Sequence, residues 1–89
     1  MTKRKALIAG NWKMHCAVVD GCRLASDIAK VCKDLSDREV LLAPPATILS
    51  EVSHVLAETN IRTGGQNVCW EEKGAYTGEI SPVMIKDAG

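Results

Sequence analysis

Lys13 carries the strongest chemical potential in this chain of 89 residues. The apolar run Ala6–Ala9 reads as a short strand, and Gly10, Asn11, Trp12, Lys13 and Met14 follow it as a tight loop. A cation just past a strand end can hold a phosphate or stabilise a developing oxyanion, and Asn11 beside it can donate a hydrogen bond. Position alone leaves open that Lys13 is an ordinary solvated lysine. His15 and His54 are the two histidines. His15 lies in the same loop and can act as acid or base, but no partner stands near it in the sequence, and a surface or interface place is the plainer reading. His54 falls on the outer face of a helix.

Two further strand ends are candidate sites, because α/β folds place their working residues there. Pro44 and Pro45 bring no reactive group. Gly64, Gly65, Gln66 and Asn67 bring side-chain amides. The glycines form no GxGxxG fingerprint and no Walker A loop, and no GxSxG elbow is present. Cysteines 16, 22, 32 and 69 make no CxxC pair, and Cys16, Cys22 and His15 fit no zinc spacing. No metal site is expected, and the cysteines read as small core residues.

The elements that must hold these groups follow from the apolar pattern. Ala6–Ala9 has no polar alternation, as in a parallel strand covered on both faces. Over Ala17–Lys33, residues Val18, Cys22, Ala25, Ile28, Ala29 and Cys32 share one side of a helix, which Gly21 weakens. Glu39–Ala43 is a second strand, stopped by the two prolines. Ala46–Glu58 is a second helix with Ile48, Leu49, Val52, Val55 and Leu56 on its buried face and Ser53 facing away. Asn60–Thr63 is a third strand. Gln66–Ile80 is a long polar loop, and loops of that length are usually functional. Ser81 and Pro82 read as an N-cap and first position of a last helix over Val83–Ala88.

This alternation predicts an α/β fold with a parallel sheet. Three strands with helices on one side leave two open edges. Gly89 falls where another strand should begin, so the pattern predicts one part of a larger domain. Eleven basic and eleven acidic residues balance, which argues against nucleic acid or an anionic membrane as partner. No stretch is long enough to span a bilayer, and the basic start Thr2–Lys5 is followed by too short an apolar run for a secretory signal. A cytoplasmic protein with reduced thiols is expected.

Four blocks together resemble the triosephosphate isomerase family. They are Gly10-Asn11-Trp12-Lys13-Met14, Leu42-Ala43-Pro44-Pro45, Gly65-Gln66-Asn67-Val68, and Gly74-Ala75-Tyr76-Thr77-Gly78-Glu79-Ile80-Ser81-Pro82. They come in the family's order and cover the whole chain. The resemblance implies a (β/α)8 TIM barrel, with residues 1–89 supplying the first three βα units of a single, incomplete barrel domain. It implies interconversion of dihydroxyacetone phosphate and D-glyceraldehyde 3-phosphate through an enediolate, in glycolysis and gluconeogenesis, with no cofactor. Asn11 and Lys13 then resemble the substrate-binding pair, with Lys13 also catalytic. His15, Gln66, Asn67, Tyr76, Thr77, Gly78 and Glu79 resemble dimer-interface residues of a homodimer, with Thr77 entering the partner near its Asn11 and Lys13. His15 and Cys16 depart from the family's usual asparagine and glycine. The family's catalytic histidine and glutamate would come beyond Gly89, so these residues alone are expected to be inactive. The other expectation is a noncatalytic α/β module that self-associates through its open sheet edges and the 66–79 loop.

Overall fold

The computed structural model describes residues 4–89; the start of the basic Thr2–Lys5 stretch lies outside them. The chain runs β1 (Ala6–Asn11), α1 (Val18–Cys32), β2 (Arg38–Ala43), a 3-10 turn (Ala46–Ile48), α2 (Leu49–Val55), β3 (Ile61–Thr63) and α3 (Pro82–Ala88). The strands form one parallel sheet in the order β1-β2-β3. This is the predicted α/β alternation.

β2 is the centre of the sheet and carries the core. Val40 and Leu42 point from it into a cluster with Ala25 and Ala29 of α1, with Ile48, Val52 and Leu56 around α2, and with Ile61 of β3. Helices with small residues at the contact come close, and α1 and α2 pack on each other. The fully buried stripe of α1 is Gly21, Ala25 and Ala29, with Ile28 and Cys32 of the expected face packed half-buried against the core, while Val18 stays exposed.

Gly21 is therefore a contact and not a flaw. A Cβ placed there would stand 2.6 Å from Cδ1 of Ile48, which is itself 2% exposed and has little room to yield. Gly21→Ala is expected to destabilise, although alanine favours a helix by about 1 kcal/mol, because overpacking costs about 1–3 kcal/mol. Adding Ile48→Val removes the clashing methyl and should restore most of the loss. Urea midpoints of the two single variants and the double variant check this; additive losses would refute it.

Three further details differ from the sequence pattern. β1 is not covered on both faces. Leu7 and Ile8 are 56% and 53% exposed, because β1 is an edge with a single neighbour and the helices lie over β2 and β3. The second helix is broken into a 3-10 turn and a short α-helix, and Val55 is half-exposed while Ser53 turns inward to share a 2.7 Å hydrogen bond with Thr63. Asn60 precedes β3 instead of belonging to it. Its Nδ2 donates to the carbonyls of Cys32 (2.9 Å) and Leu35 (3.3 Å), closing the C-terminal end of α1 where helix carbonyls lack partners. At α3 the expectation holds: Ser81 Oγ accepts from the Met84 N–H at 3.2 Å, with Pro82 following.

Candidate active site at the strand ends

The parallel register puts Asn11 beside Ala43, and Leu42 beside Thr63, so all three strands end at one rim. The ladder runs one step further on each side. The Trp12 N–H donates to Ala43 O at 3.1 Å, and the Gly64 N–H donates to Leu42 O at 3.0 Å. Asn11 is thus the last residue of β1 rather than part of the loop.

At Lys13 the chain turns through the left-handed region, with φ at +58°. That conformation costs an L-residue about 1–2 kcal/mol. It is held from both sides. Asn11 Oδ1 accepts the Lys13 N–H at 2.9 Å, an asparagine closing a turn on its own backbone. Gln66 Nε2 donates to Lys13 O at 2.9 Å and also to Ala43 O at 2.9 Å. The Lys13 side chain itself is exposed at the rim. A cation on a fixed backbone beside a row of strand ends can offset charge on an anionic substrate. The Arg38 guanidinium bonds Asp37 and holds that carboxyl below its usual range, but this exposed pair sits at the opposite, N-terminal end of β2.

Asn11, Lys13 and Gln66 are brought together around the carbonyl of Ala43. The remaining interface candidates divide. Asn67 and Gly78 line a small cavity with Gln66, Gly65 and Ile85. Tyr76 and Glu79 line a different one with Cys69 and Met84. The Glu79 N–H donates to Tyr76 O at 3.1 Å, turning the loop around Thr77 and Gly78, the latter at φ +85°. The base of this loop is closed by the Cys69 N–H donating to Ile80 O at 2.7 Å. Thr77 and His15 are exposed. Cys16 also adopts a positive φ, +76°, and packs half-buried against the core.

Sequence reasoning missed the carbonyl of Ala43 as the shared acceptor and the left-handed backbone at Lys13 and Cys16. A signal for the first was present: three consecutive parallel strands put the loop after β3 within reach of the first loop, across the end of β2. The second had none, since a lysine or cysteine does not advertise a positive φ.

The triosephosphate isomerase family model matches residues 6–89. A triosephosphate isomerase of Caldanaerobacter subterraneus subsp. tengcongensis is 50% identical over 86 residues, which are 97% of this chain and 34% of that protein. One from Herpetosiphon aurantiacus is 46% identical over the same shares. The crystal structure of triosephosphate isomerase from Bartonella henselae superposes with a TM-score of 0.89 at 38% identity, covering 97% of this chain and 35% of the other. The chain thus spans about a third of the length of the curated relatives it matches, and its three-stranded sheet corresponds to the N-terminal part of their barrel.

Proposed function

This chain belongs to the triosephosphate isomerase family, and from that premise we propose that it supplies the substrate-binding first loop of an isomerase interconverting dihydroxyacetone phosphate and D-glyceraldehyde 3-phosphate. The observation that carries this reading is the Lys13 backbone, held left-handed at the strand ends by Asn11 and Gln66. The Lys13 ammonium offsets charge on the substrate phosphate and on the enediolate oxygen, where a fixed cation in a dry site is worth more than in water. Asn11 orients the turn with Oδ1 and offers Nδ2 to the substrate.

Proton transfer between the two carbons needs a positioned base. His15 in the first loop and His54 on α2 are both exposed, and we read them as surface or interface histidines. The base and its acid partner are supplied by other residues of the barrel, and residues 1–89 alone are inactive. The 66–79 loop with His15 forms a homodimer contact. Trp70 is 88% exposed, Val68 52% and Tyr76 49%, a set of large apolar and aromatic groups typical of the buried centre of an interface.

The test replaces the corresponding N-terminal third of the Caldanaerobacter relative with residues 1–89. A coupled isomerase assay should find activity in this grafted barrel and none in the purified 89-residue chain. An inactive but folded graft would refute the reading. An isolated chain that isomerises would refute the account of the base. A chain that forms stable assemblies alone, with an inactive graft, would support a self-associating module, for which the open β1 edge with Leu7 and Ile8 gives the surface.

A further inference from the structure

We infer that Gln66 is the positioning residue of Lys13: its side-chain amide fixes the backbone from which the ammonium projects. The inference rests on the proposed role of Lys13 at the substrate, and its structural half can be tested apart from that role.

The argument is one of matching donors to acceptors. Ala43 O accepts from the Trp12 N–H at 3.1 Å and from Gln66 Nε2 at 2.9 Å, which occupies both lone pairs of that oxygen. Lys13 O accepts from the same Nε2 at 2.9 Å. A primary amide nitrogen carries two hydrogens, and both are needed to clamp one carbonyl on β2 and one on the first loop. A carboxylate of the same shape has none. The Lys13 N–H is taken by Asn11 Oδ1, so a single peptide turn is gripped at its N–H by its own strand and at its carbonyl by Gln66 of the loop after β3.

The strain explains why the grip matters. A left-handed lysine persists only where its surroundings over-determine it. Without the Gln66 clamp, the carbonyl of Lys13 is free to rotate and the turn can relax to negative φ. The ammonium sits at the end of a long stem, so a modest backbone rotation displaces it by an ångström or more, and displacement on that scale can cost about 10²-fold in rate.

The experiment uses the grafted barrel, in which these residues have neighbours on both sheet edges. Gln66→Glu keeps the shape and sets a carboxylate against two carbonyl oxygens. Gln66→Met keeps the length with no donor. Both should lower kcat by about 10- to 100-fold, with unchanged mass by light scattering at the assay concentration. The HN–Hα coupling and carbon shifts of Lys13 should leave their left-handed values. In Gln66→Glu the protonated carboxyl regains one donor and the facing carbonyls favour that neutral form, raising its pKa above the ordinary value of about 4.3. Its kcat relative to the parent should therefore climb as pH falls toward that range, while Gln66→Met shows no such recovery. Unchanged kcat with unchanged Lys13 signals would overturn the inference. So would a loss that disappears at higher protein concentration, which would make Gln66 a dimer contact only. If the parent graft is itself inactive, the isomerase reading fails, and the Lys13 signals alone decide whether Gln66 holds the turn.

Discussion

Lys13→Ala in the grafted barrel should lower kcat/KM by about 10²- to 10³-fold, the usual loss when one preorganised group facing a developing oxyanion is removed. The informative companion is Lys13→Gly. Lys13 sits at φ +58°, where the parent residue bears about 1–2 kcal/mol of strain and glycine bears almost none. Glycine gives back about 0.4–1 kcal/mol through a freer unfolded chain. The net expectation is a gain of about 0.5–1 kcal/mol in unfolding free energy, from those two terms, together with full loss of the catalytic contribution. Activity and stability then move in opposite directions, as expected where strain is held for function. A Lys13→Gly variant that is both inactive and less stable would show that the left-handed turn is not strained.

The second large effect concerns association. The loop between Cys69 and Ile80 is closed at its base by one 2.7 Å backbone bond, so its outer part can be cut without opening the sheet. Replacing Glu72–Gly78 by a short glycine turn in the grafted barrel should weaken the proposed dimer at least about 10³-fold, near 4 kcal/mol, because it removes Tyr76 and Thr77 at the proposed contact. Sedimentation across a concentration series would read this directly. The thermal midpoint should become independent of protein concentration once the dimer is gone. An undiminished dimer would place the contact elsewhere.

The elements themselves were legible because each has a simple physical marker. Unbroken apolar runs marked the strands, a 3.6-residue stripe marked α1, prolines stopped β2, and Ser81-Pro82 opened α3. Lys13 and Asn11 were legible as candidates from residue type and place after a strand. What was not legible depended on neighbours far along the chain. Gly21 looked like a weak point in a helix until Ile48 was found against it. Ser53 looked solvent-facing until Thr63 gave it a partner. Asn60 looked like the start of a strand, yet it serves the end of α1, 28 residues away. Ala6–Ala9 read as doubly covered because apolar composition reports what a strand needs, not whether these residues supply it. The clamp on Lys13 is a contact across 53 residues, and a period or a motif cannot show such a contact.

The sheet order also has a consequence in time. β1, β2 and β3 lie side by side in the order of synthesis, so each strand leaving the ribosome finds its neighbour already present, and the clamp from Gln66 to Lys13 can close as soon as that segment emerges. The outer edge of β1 has the reverse history. Neither of the two later strands reaches that edge, and Leu7 and Ile8 stay exposed after β2 and β3 have joined the sheet.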